Sequence, residues 1–248
     1  MDNFCNNANT KVEVYTFDSA LNPVEADITF ECFNELCSMG KTKIGENDAV
    51  LIRDFPQCVN GIVKAKVEGY VTSEQIISTN EEAVSNLILN KLYDLPLDVS
   101  VGGIPLTSGV AVIDFVSENY KTTIVYPEQK TISLSEGLYN VSARVFSGSS
   151  LTIPGSSSSE CVEVPKKGLL GFFGGTDEEC FEVELPPQTL DNALSGGGGS
   201  VELILESDLR LANGIKLDVP VLPSPLTLDQ LQQNYELING QRIGVIIT

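Results

Sequence analysis

The sequence predicts an all-β protein made of two tandem antiparallel β-sandwich modules, with at most one or two short helices. Apolar residues alternate with polar ones at a period of two along most of the chain, and clusters of Asn, Asp, Gly and Pro interrupt that alternation at short intervals. A length of 248 residues holds two cores at about 100 to 200 residues per domain. Hydrophobic content of 42% is that of a globular chain and excludes disorder throughout.

The first module is expected over residues 1–96. Val12, Val14 and Tyr15-Thr16-Phe17 open a β-branched and aromatic run, and Asp18-Ser19-Ala20-Leu21-Asn22-Pro23 turns the chain. Ala26, Ile28 and Phe30 then alternate with Asp27, Thr29 and Glu31, the pattern of a strand with one wet face. Ala49-Val50-Leu51-Ile52, a turn at Pro56, and Ile62-Val63-Lys64-Ala65-Lys66-Val67 complete a small sandwich. Leu87, Leu89, Tyr93, Leu95, Leu97, Val99 and Val101 keep a period of two, which favours strand. Val84, Leu87, Ile88, Lys91 and Leu92 also mark a helical face with Asn80 as N-cap, so helix stays open, although Pro96 would end it.

The second, larger module is expected over 97–248. Residues 110–116 form a nearly continuous apolar strand, followed by Thr122-Thr123-Ile124-Val125-Tyr126 and Thr131-Ile132-Ser133-Leu134. Residues 134–145 echo 55–67, each a turn feeding a strand with small or polar residues on one face, so the modules read as related. Gly155-Ser156-Ser157-Ser158-Ser159 is expected as a flexible loop, and Gly196-Gly197-Gly198-Gly199-Ser200 as a native loop inside the module. Residues 220–225 read as an extended edge segment. Leu228, Leu231, Tyr235 and Ile238 read as a short helix capped by Thr227, and 243–247 as a final strand.

Composition narrows the chemistry. The chain has no histidine, hence no side chain that titrates near neutrality as a general base and no imidazole metal ligand. A formal charge of −19 disfavours nucleic acid, whose phosphates reward clustered Lys and Arg. The charge is spread evenly, with 16 acids and 7 bases in residues 1–98 and 18 and 8 in 99–248, the pattern of a solvated surface. No run approaches the roughly 20 apolar residues that span a bilayer. The polar start Met1-Asp2-Asn3-Phe4-Cys5 has no apolar leader, which points to an excised ectodomain with Met1 added at cloning.

Six cysteines without CxxC spacing fit disulfides and an extracellular or cell-envelope location, the alternative being an intracellular protein with reduced thiols. Cys161 and Cys180 are expected to close the base of a hairpin. In the first module Cys32 and Cys37 would close a short loop, leaving Cys5 with Cys58; Cys32 with Cys58 is the main competitor. At the hairpin tip Leu169, Leu170, Phe172 and Phe173 either insert into a partner groove or a membrane interface, helped by Lys166 and Lys167, or fold back over the sandwich and fill the core. Asn140-Val141-Ser142 is a glycosylation sequon. The acidic clusters Glu46-Asn47-Asp48 and Asp177-Glu178-Glu179 lack the order of a dedicated Ca²⁺ loop and read as solvated turns. No catalytic residue, cofactor or metal is expected.

Lys11-Val12-Glu13-Val14, then Asn22-Pro23-Val24-Glu25-Ala26-Asp27-Ile28-Thr29-Phe30, then Ala49-Val50-Leu51-Ile52-Arg53-Asp54-Phe55-Pro56, then Val63-Lys64-Ala65-Lys66-Val67-Glu68-Gly69-Tyr70, taken as an ordered set, resemble a carboxypeptidase regulatory-like (transthyretin-like, PEGA-related) β-sandwich over residues 10–75. The chain departs from the pattern with Asn22 where a glycine usually stands and with Cys58 in the turn. The resemblance implies a non-catalytic module of exported microbial surface proteins, of Ig-like or transthyretin-like architecture, serving as spacer, adhesion or ligand-display unit toward a protein or glycan partner. Two alternatives stand beside it. One is a carboxylate-based glycoside-acting enzyme, which needs two facing acids across a cleft. The other is a filament or coat subunit that assembles by strand addition.

Overall fold

The computed structural model describes residues 4–165 and 176–248. It is almost entirely β, with two short α-helices and sheets stacked in sandwich-like pairs around two hydrophobic cores.

The first pair of sheets uses β1 (Ala8–Asp18), β2 (Asp27–Cys32), β3 (Glu35–Lys41), β4 (Lys43–Ile44), β5 (Ala49–Pro56), β6 (Gly61–Lys66), β7 (Ser73–Ile77) and β8 (Ala83–Leu89). One sheet has the order β4-β5-β1-β8 and the other β3-β2-β6-β7. The alternation seen in the sequence sets what each strand buries: Val12 and Val14 from β1, Ile28 and Phe30 from β2, Val63 and Ala65 from β6, Leu87 and Leu89 from β8. Phe30 and Phe55 meet edge to face at 5.2 Å, and Gly61 fits because an added Cβ would lie 2.3 Å from the Phe30 ring. Buried Thr16 and Thr42 satisfy each other at 2.8 Å, and Thr42 Oγ1 also accepts from the Ala26 amide at 2.9 Å.

Residues 83–89 are strand, which settles the open choice there. The pairings of this sandwich are antiparallel, as expected, with one exception: β8 pairs with β1 in parallel, from Val12↔Ala83 to Asp18↔Leu89. The last strand of this sandwich thus returns beside the first, running the same way.

The connection 90–92 is short and held by backbone hydrogen bonds from Val71 N to Asn90 O and from Leu92 N to Gly69 O, both 2.8 Å. Next come β9 (Tyr93–Val101), β10 (Ile104–Pro105), β11 (Val110–Val116), β12 (Lys121–Tyr126), β13 (Thr131–Leu134) and β14 (Gly137–Ile153). They are followed by β15 (Ser156–Pro165), β16 (Thr176–Leu185), β17 (Gln188–Ile204), α1 (Glu206–Leu211), β18 (Ile215–Val219), α2 (Leu228–Leu237) and β19 (Gly244–Ile247). One sheet runs β12-β11-β14-β17; the facing one runs β10-β9-β18-β19, with β13 also on β9. β18 pairs with β9 in parallel, a second departure from the antiparallel expectation. The core between these sheets holds Leu97, Ile113, Phe115, Tyr139, Val141 and Leu217.

Residues 196–200 are not a loop. They lie inside β17 and pair with β14, Val145 opposite Gly196 and Ser142 opposite Gly199. Their other edge takes the returning chain: Gly197 N donates to Pro220 O at 3.1 Å and Gly199 N to Gln241 O at 3.0 Å. A Cβ at Gly198 would sit 2.7 Å from Gln241 O, so only glycine lets two backbones approach this closely. The 220–225 segment therefore has its edge occupied within the chain, with Leu222 N bonded to Ser195 O at 2.7 Å.

α2 begins as expected, Thr227 Oγ1 accepting from Gln230 N at 3.3 Å. It is tied down by a polar residue: buried Asn234 donates to Leu194 O at 2.8 Å and Pro223 O at 2.7 Å.

Candidate functional site

β14 and β17 are each 17 residues long. They pair from Gly137↔Ile204 out to Ile153↔Gln188, beyond the sheet that starts them, and β15 and β16 continue as a two-stranded ribbon. Two irregularities re-aim the strands, one of which leaves Ser195 unpaired between Leu194 and Gly196. The ribbon includes the serine run, expected as a loop: Ser156 to Ser159 pair with Leu185 to Glu182. Serine and glutamate tolerate strand geometry where a wet two-stranded ribbon leaves both faces hydrated.

Cys161 and Cys180 are register partners, with Cα atoms 3.9 Å apart, and form the expected disulfide. Around the bond Glu160, Val162, Phe181 and Glu182 are exposed. Lys166, Lys167, Leu169, Leu170, Phe172 and Phe173 lie outside the described residues. Asp177, Glu178 and Glu179, expected as a turn, lie in β16.

The first-module cysteines form Cys5–Cys37 and Cys32–Cys58. The closure of Cys32 with Cys37 and of Cys5 with Cys58 is thereby overturned. Across the β2–β3 hairpin Cys32 pairs with Glu35, while Cys37 pairs with Phe30, so the two sulfurs are not opposite each other. Cys37 instead meets Cys5 in the 3-10 turn Phe4–Asn6, and Cys32 meets Cys58 in the turn between β5 and β6.

Asn140 is exposed near the start of β14, opposite Val116 on one side and Val201 on the other. Asn140, Arg144, Gly198, Gly199, Ile238 and Gln241 border a cavity of about 400 Å³, open where the glycines carry no side chain. The inward neighbour Tyr139 is fully buried. Its hydroxyl donates to Ser135 O at 3.0 Å and accepts from Ser135 N at 3.3 Å.

A polar cluster that sequence reasoning missed joins distant parts of the chain. Glu206, at the start of α1, accepts from Ser19 Oγ at 2.7 Å, Tyr93 Oη at 2.8 Å and Arg210 at 3.1 Å. These bonds, Ser19's first, hold its carboxyl below the usual carboxylate range. Glu13 is also held low, by hydrogen bonds from Lys11 and Tyr15. A carboxylic general acid needs the opposite shift. Glu74 and Glu118 do line one cavity of about 340 Å³, but both are exposed, and Glu74 lies 3.8 Å from Lys64. Among the described residues no group of three or more His, Cys, Asp or Glu is placed to hold a metal ion. No helix of the described residues is long and apolar enough to cross a membrane.

The fold and disulfides define a class: an all-β protein of stacked sheets, with no family membership attached. No family model matches the chain, and no curated protein matches it. Among solved structures, a streptococcal ancillary pilin is 12% identical, over 55% of this chain and 52% of that one, with a TM-score of 0.26. A leucine-rich repeat protein from Bacteroides thetaiotaomicron is 10% identical over 88% of this chain and 26% of that one, at 0.23. The Bacillus anthracis TIE protein is 10% identical over 80% and 47%, at 0.26. The chain spans about half, a quarter and half of their lengths respectively, and scores this low carry no argument about fold or role.

Proposed function

We propose that the chain is a non-catalytic extracellular ectodomain of a cell-surface protein, a spacer of two sandwich modules that presents a disulfide-closed ribbon to a protein or glycan partner. The observation that carries this reading is the pairing of all six cysteines in three disulfides, with Cys32, Cys37 and Cys58 buried in the first core. Such bonds form and persist in oxidising compartments. The module division, expected at 96/97, is drawn at the connection 90–92, because β9 runs through position 96 and Leu95 packs in the second core. The carboxypeptidase regulatory-like resemblance over residues 10–75 supports the spacer role. Titration of free thiols in denaturant without reductant, on protein from its native source, tests the reading. Near-zero thiol is expected, and six thiols per chain would overturn it.

The second reading is a filament or coat subunit growing by strand addition. It is favoured by β15 and β16, each paired on one side only among the described residues. Light scattering that rises with protein concentration supports it, and a monomer across the range removes it.

A further inference from the structure

We infer that Cys161–Cys180 is the thiol-exchangeable disulfide of this protein, a clasp on the ribbon that a neutral or cationic dithiol opens while the other two bonds stay closed. Exchange requires a thiolate to reach one sulfur in line with the S–S bond, so access decides which bond reacts. Cys32 and Cys58 are 3% and 5% exposed and Cys37 is 1% exposed, packed in the first core, with Cys5 half-buried beside it. Cys161 and Cys180 are both exposed, on a ribbon whose strands β15 and β16 pair, among the described residues, only with each other. The order of access is therefore Cys161–Cys180, then Cys5–Cys37, then Cys32–Cys58.

Charge selects the reductant. The strands 156–165 and 176–185 carry seven acidic residues, Glu160 and Glu182 among them, and no Lys or Arg. That field acts over about 10 Å at 0.1 M salt and slows attack in order of the net charge of the attacking thiolate: the dianion of 3-mercaptopropionate most, the monoanion of dithiothreitol less, and the zwitterion of cysteamine least. In the exchange the incoming thiolate bonds to one ribbon sulfur, the S–S bond breaks, and the other cysteine leaves as thiolate. The second thiol of the reductant then closes on the mixed disulfide. Two electrons and two protons pass from dithiol to ribbon, leaving Cys161 and Cys180 as thiols and the reductant as a disulfide. Neither core contains a described residue of β15 or β16, so opening the clasp loosens the ribbon and leaves both sandwiches intact.

The test treats the native chain with dithiothreitol, cysteamine or 3-mercaptopropionate, blocks new thiols with iodoacetamide, and maps them by peptide mass. Cys161 and Cys180 are expected to label about tenfold or more ahead of the other four. The melting temperature should hold, while amide exchange rises only in 156–165 and 176–185. Cysteamine should outpace 3-mercaptopropionate by more than it does on an uncharged disulfide, and the excess should vanish near 1 M salt, roughly a 3 Å screening length. The double variant Cys161→Ser/Cys180→Ser should melt like the parent and lose the fast phase. Equal labelling of Cys5 and Cys37, or labelling of Cys161 only on global unfolding, overturns the site. An excess that ignores salt overturns the charge selection.

Discussion

Ser19 Oγ donates to Glu206 Oε2 at 2.7 Å, although 187 residues separate them in the chain. The bond ties the β1–β2 turn of the first sandwich to α1 of the second, and Tyr93 joins it from the strand that opens the second core. Glu206→Gln keeps the shape and removes the charge that three donors address. A loss on the order of 1–2 kcal/mol at pH 7, read by urea unfolding, is expected.

The same carboxyl sets a pH dependence. Its folded pKa is depressed, so the stability it contributes is present above the unfolded value of about 4.3 and is lost as pH falls from there through the folded pKa. Thermal melts between pH 3 and 7 should show the parent losing stability at the acid end more steeply than Glu206→Gln. Parallel curves would remove Glu206 as a contributor.

Tyr139 is fully buried, meets Phe115 edge to face at 6.0 Å, and hydrogen-bonds the Ser135 backbone. Tyr139→Phe strands the Ser135 groups and should cost about 1–2 kcal/mol, while Tyr139→Ala should cost about 3–5 kcal/mol by opening a cavity. Chemical denaturation of the two variants gives the ranking.

The glycine run has a graded tolerance. Gly198→Ala would put a Cβ 2.7 Å from Gln241 O, whereas Gly199→Ala would meet Val141 O at 3.3 Å. We expect Gly198→Ala to cost about 1–3 kcal/mol and Gly199→Ala clearly less, measured as shifts in unfolding midpoint. If the run were a linker, both would be neutral.

The first-module disulfides span sequence separations of 32 and 26 residues. Removing either pair as a double alanine variant should cost about 3–4 kcal/mol by the chain-entropy argument. Peptide mapping without reductant should recover Cys5 joined to Cys37 and Cys32 joined to Cys58.

Strand periodicity was legible wherever one face meets a core, since a period of two records burial directly: Val12, Val14, Ile28, Phe30, Leu95, Leu97 and Val99 all point inward. Composition also excluded imidazole chemistry. Local hydrogen bonding placed the Thr227 cap, and spacing with alternation placed the Cys161–Cys180 pair. The rest depended on which distant segments meet. Serines 156–159 and glycines 196–199 carry turn-like composition, yet they are strand because a partner strand supplies their hydrogen bonds and, for the glycines, because a second backbone needs the room. Cys32 and Cys37 stand close in sequence, but the hairpin register separates them. The parallel pairings β1·β8 and β9·β18 and the Ser19–Glu206 bond leave no trace in local pattern. The sequence by itself determined the period of each strand and the residues it buries, because those follow from the alternation of side chains along one segment. Tertiary structure decided register, direction and disulfide partners, because those depend on groups brought together from far apart in the chain.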